Sequence, residues 1–139
     1  CALRQLFGYP GMSIDVSSAA GRRGERAHLM LIIANGKHFG GAFRVAPNAS
    51  LTDGRLDAVA FGAVAPLRRV RLFGATTRGT HVTHPDVQTE QASSFTLSFP
   101  SPPAYETDGE YNRALSSTLE VRCVPRALRV VTPLAARGL

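Results

Sequence analysis

Two short acidic turns and a pair of histidines are the places where residue type and spacing suit chemistry. In Asp108-Gly-Glu110 a glycine separates two carboxylates, so the backbone can turn sharply and aim both side chains at one point. Carboxylates placed in this way can accept a proton from a hydroxyl or help to organise a metal ion and a polyphosphate. The same three residues also spell a plain hairpin turn with Glu110 opening a strand, and the residues alone leave both readings open. Asp53-Gly54 is a second turn of the same kind. His81 and His84 are spaced like two metal ligands, but no cysteine or third histidine lies close by. Loop-stabilising hydrogen bonds are therefore the expectation for them, ahead of zinc. His38 and Phe39 stand before Gly40-Gly41, where they either line a cleft or decorate a surface loop.

The elements that must position these residues are mostly strands, because alternation with period two dominates the chain. Residues 13–18 alternate, Gly21-Arg-Arg-Gly24 is expected to turn, and residues 26–34 form the most apolar run. A run of this kind predicts a central strand covered on both faces. Residues 42–45 are expected to extend again before Pro47, and Asp53-Gly54 to turn into a strand over residues 56–61. Pro66 suits the first turn of a helix reaching about Thr77, with Leu67, Val70 and Phe73 as its buried stripe. Arg68, Arg69 and Arg71 would then form the outer face, either solvated or in contact with a membrane or partner. Phe95, Leu97 and Phe99 alternate in a further strand, and residues 118–124 and 127–131 complete the set, followed by a tail over residues 132–139.

The chain has 139 residues, enough for one domain with a real core. Its 44% hydrophobic and 19% charged residues are those of a globular protein, and no apolar run approaches the ~18–20 residues that cross a bilayer. The formal net charge of +6 favours anionic partners, which include phosphorylated ligands, acidic lipid headgroups and nucleic acid. Only Cys1 and Cys123 are present, too few for a disulfide framework, so a reducing compartment is expected. The first residues lack the features of a signal peptide and do not begin with Met, which reads as a piece of something longer.

Four segments, taken in order, carry a resemblance over about residues 13–131. They are Ala34-Asn-Gly-Lys-His-Phe-Gly-Gly41 running into Arg44-Val-Ala-Pro-Asn-Ala49, Asp53-Gly-Arg-Leu-Asp57, Arg78-Gly-Thr-His-Val-Thr-His-Pro85 and Asp108-Gly-Glu110. Together they resemble the C-terminal part of the diacylglycerol kinase-like lipid kinases, which include sphingosine, ceramide and bacterial lipid kinases. The resemblance implies a mainly β, β-sandwich-like C-terminal domain with one or two short helices, from a two-domain kinase using ATP and Mg²⁺. The glycine-rich phosphate-binding segment of relatives lies in an N-terminal domain and has no counterpart in this sequence, so the chain alone is expected to be inactive.

On the same resemblance, Glu110 would accept the proton of a lipid hydroxyl, with Asp108 as its electrostatic partner. An Asp of the missing N-terminal domain is a rival for the base. Asp53 would hold Mg²⁺ together with the main-chain carbonyls of Ser50 and Arg55, shaping the loop. The acidic pair is expected to face a gap near the bend of residues 35–41, where a second lobe would bring the nucleotide. The implied partners are a lipid at a membrane surface and the N-terminal nucleotide-binding domain, without nucleic acid, and a homodimer stays open. The implied location is cytoplasmic, at the inner face of the membrane. Phe95, Leu97, Ile32 and Phe61 either fill the core or line an acyl-chain pocket. The alternatives are a kinase of the related NAD kinase or phosphofructokinase-like group, and a non-catalytic basic module that docks on acidic membranes through Arg68, Arg69, Arg71 and Arg78.

Overall fold

The computed structural model describes residues 8–131. Its main body is a six-stranded antiparallel sheet built from β1 (Met12–Ser18), β2 (Gly21–Ala34), β3 (Leu56–Gly62), β4 (Val87–Ala92), β5 (Ser94–Ser98) and β8 (Thr118–Arg122). The strand order is β4-β3-β2-β1-β5-β8, and a separate two-stranded hairpin is made by β6 (Ala104–Thr107) and β7 (Glu110–Arg113). The helix α1 (Pro66–Thr76) and a 3₁₀ turn (Thr80–Thr83) lie between β3 and β4.

β2 is long enough to serve two neighbours. Its first half, from Gly21 to His28, pairs with β1, and its second half, from His28 to Ala34, pairs with β3. Register shifts at Asp15/Ser17 and at His28/Met30 bend these strands, as β-bulges do. One core then gathers Ile14 and Val16 of β1, Leu31 and Ile33 of β2, Leu56 and Ala58 of β3, and Phe95 and Leu97 of β5. Strands that are not neighbours in the sheet thus pack face to face across one interior, which makes a single sheet sandwich-like.

The other face of β2 and β3 carries Met30, Ile32, Val59 and Phe61, covered by Leu72 of α1 and by Val45, Ala46 and Ala49 of the preceding loop. Residues 29–34 of the apolar run therefore pack against the two cores and are half-buried, while Arg26 and Ala27 are exposed, so the double cover expected of residues 26–34 is partial. Phe95 and Leu97 sit buried in the first core and Phe61 in the second, with Ile32 half-buried against the second, so Phe95, Leu97 and Phe61 fill cores.

Several local expectations are corrected. Gly21-Arg-Arg-Gly24 does not turn but opens β2, since the turn falls on Ala19-Ala20. Residues 42–45 form no strand. Phe43 makes only an isolated bridge to Phe39 across Gly40 and Gly41, both at positive φ. Residues 127–131 are exposed and form no strand.

The buried stripe of α1 is Arg69, Leu72 and Thr76, while Leu67 and Val70 point outward at 81% and 51% exposure. Hydropathy favours the opposite arrangement, but the Arg69 guanidinium donates from Nε to the Val64 carbonyl at 2.9 Å, satisfying a backbone acceptor just before the helix. Leu72 occupies the core position, so the helix is turned by about one residue from the expected phase. The tail over residues 132–139 lies outside the described residues.

Candidate functional site

The Asp108-Gly109 segment is a two-residue hairpin loop with both residues at positive φ, 49° and 93°. This backbone matches the twist of the flanking strands, and Asp and Gly are the residues that tolerate it. The ladder runs from Thr107 opposite Glu110 to Ala104 opposite Arg113. Asn112 fastens the turn, its Nδ2 donating to Thr107 Oγ1 at 2.9 Å and to the Glu110 carbonyl at 3.0 Å. At the base of the hairpin, Ala114 N–H donates to the Pro103 carbonyl at 2.9 Å and Ala114 is buried.

The tip is a different matter. Asp108, Gly109 and Glu110 are all exposed, and among the described residues neither carboxylate has a hydrogen bond or an ion pair. Among the described residues no hydrogen bond or ion pair joins them to the Asp53 turn, and the gap expected beside the acidic pair is not seen around them: the pair stands at an exposed hairpin tip. The geometry therefore presents two acidic groups, on a fixed backbone, to whatever lies beyond the hairpin.

The Asp53 turn is built differently. Asp53 Oδ1 accepts from Arg55 N–H at 2.9 Å, and Gly54 adopts φ 69°. Ser50 is half-buried, with its Oγ near Thr52 N–H at 3.4 Å, while Asp53 and Arg55 are exposed. The second carboxylate oxygen of Asp53 has no partner among the described residues.

Behind it lies Asp57, 7% exposed, whose Oδ1 accepts from Gln91 Nε2 at 3.0 Å. Burial pushes the Asp57 carboxyl above its ordinary range, the Gln91 bond opposes this, and the negative charge of Asp53 adds to it. The Asp53 oxygen left over from the Arg55 bond is a hard, exposed donor of the kind Mg²⁺ accepts. No cluster of three His, Cys, Asp or Glu suited to a metal occurs among the described residues, so main-chain oxygens and water would have to complete the shell.

Asp57 also lines a cleft of about 230 Å³ with Pro47, Asn48, Val59, Val82 and Gln91. Sequence reasoning passed over Asp57 as part of a motif. The available signal was its phase, since it shares a strand face with Val59 and Phe61, where a carboxylate is out of place.

The two histidines are structural. His81 is completely buried, its Nε2 lies 2.8 Å from the Val45 carbonyl, and its ring stacks on Phe61 at 5.5 Å between centroids. Burial holds its pKa below the ordinary value, opposed by the carbonyls of Val45 and Ala75. His84 Nδ1 accepts from Asp86 N–H at 3.3 Å, which shapes the turn entering β4. His38 and Phe39 are exposed in the bend before the glycine pair.

Comparison with known proteins now adds what geometry alone does not. The sequence profile of the YegS C-terminal NAD kinase beta sandwich-like domain matches residues 1–132. The chain belongs to this family. It is 31% identical over 99 residues to proteins named diacylglycerol kinase from two strains of Mycobacterium tuberculosis, CDC 1551 / Oshkosh and ATCC 25618 / H37Rv. That match takes in 71% of this chain and 31% of each relative, so the chain spans about a third of their length.

Among solved structures, a crystal structure of a diacylglycerol kinase from Bacillus anthracis str. Sterne superposes with a TM-score of 0.60 at 14% identity. It covers 87% of this chain and 43% of that one. Another Bacillus anthracis chain matches with a TM-score of 0.65 at 20% identity, over 88% of this chain and 40% of that one. At these identities the superpositions speak for the fold, which is the mainly β, sandwich-like domain expected from the sequence. Membership in a lipid kinase family rests on the profile and on the named relatives. No helix among the described residues is long and apolar enough to cross a membrane.

Proposed function

We propose that this chain is the β lobe of an ATP-dependent lipid kinase of the diacylglycerol kinase type. It would transfer a phosphoryl group to a lipid hydroxyl in a cleft shared with a nucleotide-binding lobe. The observation that carries the reading is the Asp108-Gly109-Glu110 turn, whose backbone is fixed by positive φ and by Asn112 while its carboxylates remain without protein partners. An acid pair held this way is free to meet a second lobe, where Glu110 takes the proton of the attacking hydroxyl and Asp108 shapes the local field. Mg²⁺ would be held by the Asp53 carboxylate with the carbonyls of Ser50 and Arg55, where its role would be to shape the loop. The negative charge of the buried Asp57 behind that turn would favour a cation there.

The test uses the enzyme in which this chain is joined to a nucleotide-binding lobe, assayed with diacylglycerol vesicles and, separately, with NAD as acceptor. Glu110→Gln is expected to lower turnover on the lipid by about 100- to 10,000-fold with unchanged folding. Unaltered turnover would remove Glu110 from the mechanism, and phosphorylation of NAD in place of lipid would replace the acceptor class.

A further inference from the structure

The cleft beside Asp57 is left unused by the two acidic turns. Its floor is two cross-strand pairs of β3 and β4, Asp57 opposite Gln91 and Val59 opposite Thr89, so a carboxylate, an amide, a hydroxyl and an apolar side chain share one face. One wall is the turn at residues 46–48 and the other is Val82 of the 3₁₀ turn. Both walls are braced. Ala46 N–H donates to the Lys37 carbonyl at 3.3 Å and Ala49 N–H to the Ala46 carbonyl at 3.0 Å, while His81 Nε2, on the turn that carries Val82, lies 2.8 Å from the Val45 carbonyl. The polar groups inside have spare capacity. Asp57 is 7% exposed, yet among the described residues its carboxyl receives only the Gln91 bond to Oδ1. Gln91 keeps its carbonyl free, and the side chains of Asn48 and Thr89 make no hydrogen bond among the described residues. Glu90, also in the lining, is already held by Arg23 and by Ser18 Oγ.

We propose that this cleft binds a neutral polyol about the size of one sugar ring, its hydroxyl groups bonded to Asp57, Asn48 and Gln91 and its C–H face against Val59 and Val82. A hydroxyl both donates and accepts, which matches a carboxylate that only accepts set beside amides that do both. Burial raises the Asp57 carboxyl, so a donor to its second oxygen counts for more there than in water. Charged ligands suit the cleft less well. An anion would meet the charge of Asp57 and, close by, that of Asp53. A metal ion finds no group of three ligating side chains among the described residues. An organic cation would enter against Arg23, which holds Glu90 and the Thr89 carbonyl, and against the net charge of +6. The volume of about 230 Å³ lies below the roughly 300–1,000 Å³ of sites for drug-sized ligands, as a single ring requires.

This site goes beyond the kinase reading and needs neither a nucleotide nor a phosphoryl acceptor, so the two can fail separately. The full-length protein is titrated calorimetrically with myo-inositol, glucose and cyclohexanol in the absence of nucleotide. Both polyols should saturate with a Kd of millimolar order, as ligands of few atoms do, and cyclohexanol, a ring with one hydroxyl, should bind at least about ten-fold more weakly. Asp57→Asn keeps the shape of the side chain and removes its charge, and it should weaken polyol binding about ten-fold. Asn48→Ala should weaken it about three-fold. Asn48 is exposed, so this second variant tests the site even where Asp57→Asn lowers the melting temperature.

The polyol can be free or carried on a lipid, and vesicles of phosphatidylcholine with and without a neutral glycosyl diacylglycerol separate the two sources. Capture by the glycolipid vesicles alone, lost in Asp57→Asn, supports the site in its lipid-borne form, and saturation by free sugars without such capture supports it in its soluble form. The proposal is overturned if neither polyol saturates by about 100 mM and the glycolipid vesicles capture nothing. It is also overturned if cyclohexanol binds as tightly as myo-inositol, or if Asp57→Asn and Asn48→Ala both leave binding unchanged. Binding of choline or adenosine that depends on Asp57, where the polyols do not bind, would hand the cleft to an organic cation or a nucleoside and overturn it as well.

Discussion

Replacing His81 with alanine removes the side chain that ties the loop before β3 to the sheet. The ring has 0% exposure, donates from Nε2 to the Val45 carbonyl at 2.8 Å when that nitrogen carries the proton, and lies nearly parallel to Phe61. Truncating a buried aromatic side chain costs about 3–5 kcal/mol through lost transfer energy and the cavity left behind. A lost hydrogen bond adds about 1 kcal/mol net, more if the carbonyl stays buried without a donor. An imidazole is smaller and more polar than a phenyl ring, so the lower end applies and His81→Ala should cost about 3 kcal/mol. For a domain of this size that corresponds to a fall in melting temperature of roughly 10 °C.

The assay is urea unfolding followed by far-ultraviolet circular dichroism, where the midpoint should drop at an unchanged slope. His81→Phe separates the two contributions. It keeps the stack on Phe61 but loses the donor to Val45, and it should cost about 1–3 kcal/mol. A loss under about 0.5 kcal/mol for His81→Ala would refute the reasoning. Stabilisation of the native chain by added zinc, abolished in that variant, would do the same by returning His81 to the metal ligands.

Four further outcomes follow from the same structure. Arg69→Ala should destabilise the fold by about 1.5–3 kcal/mol, because it takes a buried charged donor from the Val64 carbonyl, whereas Arg71→Ala on the exposed face should stay within about 0.5 kcal/mol; paired thermal melts decide this. Gly79→Ala should cost more than Gly109→Ala in the same melts. Both glycines have positive φ, worth about 1–2 kcal/mol to a residue with a Cβ, but at Gly79 that Cβ would also meet Arg44 Cδ and Pro47 Cβ at 3.2 Å each, while space is open at Gly109.

Stability should fall as pH drops below about 6.5, because burial depresses the pKa values of His28 and His81 and the unfolded chain then binds more protons than the native one. The raised Asp57 carboxyl acts with the opposite sign. The native state holds that proton more tightly, so stability declines as pH rises from about 3.9 through its folded value, and Asp57→Asn should flatten this part of the profile in pH-dependent urea melts.

The strands were legible because alternation and glycine punctuation are local properties. Residues 26–34, the Asp53-Gly54 turn into β3 and the Pro66 start of α1 all fall where the amino-acid order places them. β4 was not legible, since Val-Gln-Thr-Glu-Gln-Ala shows two apolar residues in six and gains its place by pairing with β3. The phase of α1 was also out of reach. Leucine and valine score as core residues in isolation, and only the Val64 carbonyl, waiting at the helix start, makes Arg69 the better inward residue.

For the site, the sequence by itself determined the acidic turns, the motif order that marks the family, and the positive φ that Asp108-Gly109 adopts. Tertiary structure decided what surrounds them. It buried Asp57 beside Asp53, turned His81 into a brace for Val45, and left Asp108 and Glu110 in the open at a hairpin tip. The reason is physical: a turn is specified by steric preferences of two or three adjacent residues, whereas burial and electrostatic neighbours depend on chain segments that fold back from tens of residues away.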